Sequence, residues 1–291
     1  MDKYSTVVIT GATSGLGQLV AIELVKKGAD LVLTARNKEK ADITKKMLQE
    51  LNPKSKIDFF YGDLSLLKDV KRIGEEIKVK YPKINVLINN AGLHAFEQRV
   101  TSEGFSEMIA VNYLAPWLLT NILKESLINS ENARIINVAS EASRNHGELK
   151  LPEDLLDTTS FTARGSSLIY GKTKLLDIMF TYELARKHAG TGVTVNSLNP
   201  GFNVTGLGRE LWFSSILEKI LKALHIGDPR KGADIILRLA TSSEYNNITG
   251  GYFNVGTEKK ITPIYPGNDK GMQDKLWNET MKILEKRGYI V

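Results

Sequence analysis

Tyr170-Gly171-Lys172-Thr173-Lys174 places a phenol and an ammonium four residues apart. In a helix, positions i and i+4 share a face, so Tyr170 and Lys174 project side by side while Lys172 points elsewhere. A phenol titrates near pH ~10 and is a poor base at neutrality. An ammonium a few ångströms away stabilises the phenolate and lowers that value, as general acid–base work requires. Such a pair alone is common on helix surfaces, so its context has to decide. A second group of residues, Thr10-Gly11-Ala12-Thr13-Ser14-Gly15-Leu16-Gly17, could cradle phosphate. Gly11 allows a tight turn, Gly15 lets the backbone approach a pyrophosphate, and Gly17 lets a helix pack close to a sheet. The helix that follows offers unpaired N–H groups and partial positive charge to an anion. Any tight strand-to-helix turn selects glycine, but here the turn lies between an apolar strand and an amphipathic helix within the first thirty residues. That context points to dinucleotide binding.

The elements that must hold these groups alternate along the chain. Ser5–Thr10 reads as a buried strand, Leu16–Lys27 as a helix closed by Gly28, and Leu31–Thr34 as a second strand. A helix over Lys38–Leu51, a strand at Ile57–Tyr61, a helix at Leu66–Lys80 and a strand at Asn85–Asn89 follow. Next come one long helix over about Ser106–Leu127, a strand at Arg134–Val138, a helix at Tyr170–His188 and a strand at Val193–Leu198. Continuous apolar strands separated by helices predict a parallel sheet covered on both faces, a single-domain doubly wound (Rossmann) α/β fold spanning 1–291. Two segments interrupt the rhythm, a loop over about 141–167 and an amphipathic stretch over about 206–226 with Leu211, Trp212, Ile216, Ile220 and Leu224 at helical spacing. Both fall on the ligand-binding edge, and a C-terminal helix is predicted over about 270–287.

The second strand bears on the cofactor. A carboxylate at its end would accept hydrogen bonds from a ribose 2′-OH; the chain instead reads Thr34-Ala35-Arg36-Asn37, with Lys38 and Lys40 beside it. A guanidinium there can fork onto a 2′-phosphate, which favours NADP(H) over NAD(H), the alternative being that Arg36 is ordinary surface charge.

Composition narrows the chemistry further. The 291 residues contain no cysteine, which excludes disulfides, thiolate nucleophiles and Cys-ligated metals. The four histidines, His94, His146, His188 and His225, show no ligand spacing, so no metal site is expected; His94 and His146 fall on the substrate edge and are candidates to line it, with structural or surface roles the plainer reading. A hydrophobic share of 42% and a charged share of 25% are those of a globular protein. The formal charge of +6 suits surface charge plus a phosphate-facing edge around Arg36, Lys38, Lys40, Lys45 and Lys46, and no nucleic-acid partner is expected. No stretch reads as a spanning helix or a secretory signal, which leaves the cytoplasm as the expected location. Trp117 and Trp277 read as core.

Taken in order, Thr10-Gly-x-x-x-Gly-x-Gly17, Asn89-Asn90-Ala91-Gly92, Ser140, Tyr170-x-x-x-Lys174 and Asn199-Pro200-Gly201 resemble the short-chain dehydrogenase/reductase family over about residues 5–205. Within it, Asn85–Gly92, Arg134–Val138 and Leu276-Trp277 look like the retinol dehydrogenase and carbonyl reductase group. The resemblance implies that Tyr170 protonates a carbonyl oxygen in reduction or takes the proton in reverse. Lys174 lowers its pKa and bonds the nicotinamide ribose, and Ser140 holds and polarises the substrate oxygen. Asp63 and Leu64 contact the adenine, Asn90 the adjoining ribose, and Pro200, Gly201 and Thr205 the nicotinamide end. Asn112 matches the family's fourth catalytic position, whose backbone carbonyl holds a relay water. Pro116, four residues on, has no N–H to give that carbonyl, which supports this role, although a kink used only for packing remains the alternative. The family's frequent Ser-Ser pair reads Ala139-Ser140 here, leaving Ser140 alone. The lengthened loop before Tyr170 leaves monomer and homo-oligomer both open.

The expected activity is hydride transfer between a nicotinamide and the carbonyl or alcohol carbon of a small lipophilic substrate: a ketone, aldehyde, quinone, retinoid or steroid-like molecule. Leu93, Phe96, Trp212, Phe213 and Ile216 supply the apolar surroundings. Reduction is the expected direction with NADP(H), a pool that cells keep mainly reduced. A catalytically silent dinucleotide sensor on the same fold would have lost Ser140, Tyr170 or Lys174, and all three are present. A membrane-surface helix at 206–226, carrying Lys219, Lys222 and His225, is a further alternative; Glu210 and Glu218 dilute its basic face and favour a lid over the pocket.

Overall fold

The computed structural model describes residues 5–201, 228–256 and 259–290. Seven parallel strands form one sheet in the order β3-β2-β1-β4-β5-β6-β7. They are β1 (Thr6–Ile9), β2 (Asp30–Ala35), β3 (Ile57–Tyr61), β4 (Val86–Asn89), β5 (Arg134–Val138), β6 (Thr194–Asn199) and β7 (Gly251–Asn254). Successive residues of a strand point to opposite faces, and β1 shows it. Val7 and Ile9 pack with Leu31, Leu33, Val20, Leu24, Leu48 and Ile236 on one side. Val8 packs with Val32, Ile73, Trp117, Leu176 and Phe180 on the other. The first layer carries α1 (Gly15–Lys26), α2 (Lys38–Leu51) and the helix Pro229–Thr241; the second carries α3 (Leu67–Lys80), the 107–122 helical stretch, the long Ala163–Lys187 helix and Lys270–Lys286. With both faces covered, the fold is the single-domain α/β architecture expected. Because β1 pairs with β2 on one side and β4 on the other, the chain reverses direction across the sheet there and leaves a crevice at the strands' carboxyl ends.

Four features depart from the sequence expectation. The helix expected over Ser106–Leu127 is broken into α4 (Glu107–Ile109), a π turn over Ala110–Leu114, α5 (Ala115–Ile122) and α6 (Lys124–Ile128). Pro116 cannot supply the N–H for the Asn112 carbonyl of a regular helix, and the Ala115 N–H bonds back to the Ala110 carbonyl, five residues away. The 141–167 loop holds a 3₁₀ turn (Glu141–Arg144) and α7 (Glu153–Leu156). The helix carrying Tyr170, α8 (Ala163–Lys187), starts at Ala163 rather than at Tyr170. Gly165, Ser166 and Ser167 are weak helix formers that hide this start from a propensity reading, and Ser166, with no exposed surface, shows that packing overrides it. The helix Pro229–Thr241, capped by the Asp228 side chain on the Arg230 N–H, and β7 were not anticipated. β7 is short and glycine-led, and its pairing with β6 defines it. The stretch 206–226, with Thr205, lies outside the described residues. Among those described, no helix is long and apolar enough to cross a membrane.

Trp277 of the C-terminal helix stacks on Phe180 of α8 with ring centroids 6.0 Å apart and lies 5.1 Å from Trp117. Both tryptophans are core, as the sequence predicts. Truncating Trp277 to Ala is expected to cost about 3–5 kcal/mol of folding stability, read as a lower urea midpoint; a loss below about 1 kcal/mol would mean the C-terminal helix is only loosely docked.

Candidate active site

The crevice at the β1/β4 reversal is a cleft of about 530 Å³. Gly11, Thr13, Ser14, Gly15 and Leu16 form one wall, Arg36, Asp63 and Leu64 one end, and Asn90, Ser140, Tyr170, Lys174, Pro200 and Gly201 the opposite side. Fourteen positions singled out from the sequence thus converge on one cavity. The glycines act as their chemistry demands. Gly11 and Gly15 hold φ of +70° and +58°, in the left-handed region open to glycine. A Cβ on Gly17 would stand 2.5 Å from both Asn90 Nδ2 and the Gly11 carbonyl, so Gly17 serves packing rather than lining the cleft. Ser14 at the N-cap of α1 makes no side-chain capping bond, which leaves the first N–H groups of that helix to face an anion.

Two asparagines bind this architecture together. The Asn90 side-chain amide donates to the Thr10 carbonyl at 2.9 Å, and Thr10 Oγ1 accepts from the backbone N–H of Asn90 and Ala91, each at 3.0 Å. The loop after β4 is thereby clamped to the glycine turn. Asn112, 1% exposed, accepts from the Leu93 N–H at 2.8 Å and donates to the Leu93 carbonyl and to Thr173 Oγ1, each at 2.9 Å. Thr173 in turn donates to the Tyr170 carbonyl at 2.8 Å. The Asn112 side chain therefore ties the β4 loop to the helix of Tyr170.

Tyr170 and Lys174 lie one turn apart on α8, as their spacing predicts, and both line the cleft. Lys172 points away and pairs with Asp154 at 2.7 Å. Lys174 is buried; its Nζ donates to the Val138 carbonyl at 2.9 Å and to Asp177 Oδ2 at 2.9 Å. Burial pulls the Lys174 ammonium down, but the Asp177 carboxylate and the Tyr170 phenol more than offset it, and the net direction is up. Burial pushes the Asp177 carboxyl up to about 6, with Lys174 working in the opposite sense. Ser140 lies two residues past the end of β5 and caps the 3₁₀ turn, its Oγ accepting from the Ala142 N–H at 3.2 Å.

Arg36 is exposed at the cleft's end and forms no ion pair among the described residues. The Asp63 carboxylate accepts from the Ser65 N–H at 2.9 Å, which folds the turn after β3. His94 lines the cleft with its ring stacked on Tyr170, centroids 4.6 Å apart, and Phe96 4.7 Å beyond it. His146 is a structural residue, buried with Nε2 3.2 Å from the Tyr265 carbonyl. Thr205, Trp212, Phe213 and Ile216 fall outside the described residues.

Two residues, Asp177 and Gly171, escaped the sequence reading, and for His94, expected at the substrate edge, the contact with Tyr170 did. Asp177 follows Lys174 at i+3, a same-face spacing that could have revealed it. His94 gives no such signal, since only the fold brings it onto Tyr170. Gly171 passes unnoticed beside its catalytic-looking neighbour, yet a Cβ there would stand 2.5 Å from the Ala142 carbonyl and closer still to that of Asn145. Only glycine lets α8 press onto the turn that follows Ser140.

This geometry, a parallel sheet with a glycine-rich phosphate turn and a Ser–Tyr–Lys set around one cleft, agrees with the sequence comparison. The model of the short chain dehydrogenase family matches residues 5–151, and the chain belongs to that family. Human retinol dehydrogenase 14 is 32% identical over 289 residues, covering 94% of this chain and 84% of the relative. Mouse retinol dehydrogenase 13 is 32% identical, covering 96% and 83%. Human polyprenol dehydrogenase is 29% identical, covering 95% and 84%. Among solved structures, a blue fluorescent protein from a metagenomic library in complex with NADPH has a TM-score of 0.68 at 23% identity, covering 87% of this chain and 97% of that one. A glucose/ribitol dehydrogenase from Brucella melitensis has a TM-score of 0.67 at 23% identity, covering 86% and 94%. The protein is a dehydrogenase acting between alcohol and carbonyl, of a family that binds a nicotinamide dinucleotide.

The close approach at Gly171 makes a specific demand. Gly171→Ala is expected to cost about 1–3 kcal/mol of stability through overpacking and to lower turnover by displacing α8 from the Ser140 turn. A thermal melt and a turnover assay indistinguishable from wild type would show that the turn gives way freely.

Proposed function

We propose that this dehydrogenase uses NADP(H) to interconvert a lipophilic alcohol and its carbonyl compound, with Tyr170 as the proton donor in reduction and acceptor in oxidation. The observation that carries the reading is the meeting of Tyr170, a buried Lys174 and Ser140 on one side of a cleft whose other wall is the glycine turn. The cleft fits a dinucleotide: positive-φ glycines and an uncapped helix N-terminus suit its phosphates, and Arg36, with no ion pair among the described residues, suits a 2′-phosphate rather than a bare ribose. When bound, the nicotinamide supplies or accepts the hydride.

The protein's part is to position and to move a proton. Ser140 Oγ holds the substrate oxygen, and the Tyr170 O–H passes its proton to that oxygen as the carbonyl becomes an alcohol. The Lys174 ammonium stabilises the phenolate that remains, and its third donor is available to a cofactor ribose, since Val138 and Asp177 take only two. The Asn112 carbonyl, lacking its helix partner because of Pro116, holds a water through which Tyr170 is reprotonated. Asp63 and Leu64 face the adenine end, and Asn90, Pro200 and Gly201 complete the nucleotide's surroundings among the described residues. Leu93 and Val111 give the cleft an apolar part beside His94, Arg99 and Glu107, and the retinol and polyprenol dehydrogenases among the relatives support a lipophilic alcohol as substrate class.

Two experiments test this reading. The purified protein should bind NADPH, seen as a change in its fluorescence, and oxidise it when given a panel of carbonyls. Tyr170→Phe should lower turnover by about 10²–10⁴-fold and retain NADPH binding, and undiminished turnover would overturn the proton-donor role. Arg36→Asp should weaken NADPH binding by about tenfold or more, the scale of one lost charge-assisted bond, while leaving NADH binding little changed or better. Equal losses for the two cofactors would return the 2′-phosphate assignment to surface charge.

A further inference from the structure

The Tyr170–Lys174 pair accounts for one half of a buried ion pair and leaves Asp177 without a role. Asp177 is 3% exposed and Lys174 is 4% exposed, and their charged atoms are 2.9 Å apart. Asp177 is also held from behind. Its backbone carbonyl accepts from Thr181 Oγ1 at 2.8 Å, Thr181 Oγ1 accepts from Asn137 of β5 at 2.9 Å, and Asn137 Oδ1 accepts from Asn89 of β4 at 2.8 Å. A polar line thus runs from the carboxyl ends of two central strands to the helix segment of this carboxylate.

We propose that Asp177 is a positioning residue for the proton relay, holding the Lys174 ammonium with its carboxylate and screening that charge from Tyr170. An unpaired ammonium acts on a neighbouring phenol as a full charge; a paired one acts as a dipole, whose field falls off faster with distance. Tyr170 therefore keeps its proton to a higher pH than an isolated lysine would allow, which favours the state needed to protonate a carbonyl. The same contact aims Nζ. With one N–H on Val138 and one on Asp177, only one direction is left for the third. The inference rests on the reading of Tyr170 as the proton donor.

Other ionisable groups among the described residues surround these three. From the π turn, Tyr113 lies within electrostatic reach of Asp177, and burial pushes its phenol up. From β7, Tyr252 lies within reach of Tyr170 and of Glu141 and Arg144 on the 3₁₀ turn, and burial pushes it up too. Both phenols stay neutral through the working range. Arg99 and Glu107, paired with each other, line the same cleft, and among the described residues the His94 imidazole, from the loop after β4, stacks directly on Tyr170, so it is varied as a control.

The test is the pH profile of kcat/KM, taken for carbonyl reduction and alcohol oxidation with the full-length enzyme, NADP(H) and the best substrate of the carbonyl panel. Asp177→Asn keeps the shape and a hydrogen bond to Lys174 but removes the charge; Asp177→Ser serves as a second neutral variant where the first does not fold. Both are compared with wild type and repeated with His94→Asn, so that an imidazole limb is recognised. The expected result is that the basic limb of reduction and the acidic limb of oxidation both move to lower pH by about one unit or more, raising oxidation relative to reduction at neutral pH. Limbs that stay in place in a folded neutral variant, whatever happens to kcat, would reduce Asp177 to a packing group and overturn the proposal. Limbs that move only while His94 is present would assign the effect to the imidazole and overturn it as well. Tyr170→Phe separates this outcome from failure of the underlying reading, because turnover retained there removes Tyr170 from the reaction irrespective of Asp177.

Discussion

In the wall of the cleft, a lysine and an aspartate are buried together, and much of the site's geometry follows from what that requires. Taking either charge out of water costs several kcal/mol, and attraction between the two offsets this only when geometry is tight and the remaining donors are met. Lys174 meets the condition through Asp177 on its own helix and the Val138 carbonyl at the end of β5. That second bond fixes α8 against the sheet at one point. Ser140 lies two residues beyond Val138 and Tyr170 one turn before Lys174, so fastening the lysine places both on the same cleft.

Close backbone contacts act with this charge pair. Gly17 lets the Asn90 amide and the Gly11 carbonyl fit beneath the first helix, and Gly171 lets α8 settle onto the turn after Ser140. At each place a methyl group would force the elements apart. Asn90 and Asn112 then bridge elements that the sheet alone does not fix, the first joining the β4 loop to the phosphate turn and the second joining it to α8. The crevice at the reversal between β1 and β4 becomes a site because these short, directional contacts converge around it, while the apolar layers on both faces hold the sheet itself.

A dehydrogenase on this scaffold needs a proton group whose charge is set by neighbours rather than by solvent. Membership of the short chain dehydrogenase family, with retinol and polyprenol dehydrogenases among its relatives, makes that need concrete for this chain. Tyr170, the group proposed for that role, has neighbours at three depths: Lys174 one helical turn away, Asp177 behind it, and the His94 ring against the phenol face. On the proposed reading, varying the two outer groups retunes proton chemistry while leaving Tyr170 and Lys174 unchanged.

The order of strands and helices was legible in the residues. Buried parallel strands require continuous apolar runs, and tight turns and close approaches require glycine, so β1 to β6, the phosphate turn and the i, i+4 pair are all local patterns. Features that depend on partners distant in the chain were not legible. β7 exists through its pairing with β6, α8 begins seven residues before Tyr170 because packing overrides weak helix formers there, and the helix expected over Ser106–Leu127 widens into a π turn and then breaks. The proline that disturbs that helix is visible in the sequence, but which hydrogen bonds re-form around it is a matter of the surrounding packing. In the same way the sequence by itself named Ser140, Tyr170 and Lys174. Only the tertiary structure decided that the lysine would be buried against Asp177 and the tyrosine stacked on His94, because desolvation and ring stacking depend on what the fold brings alongside.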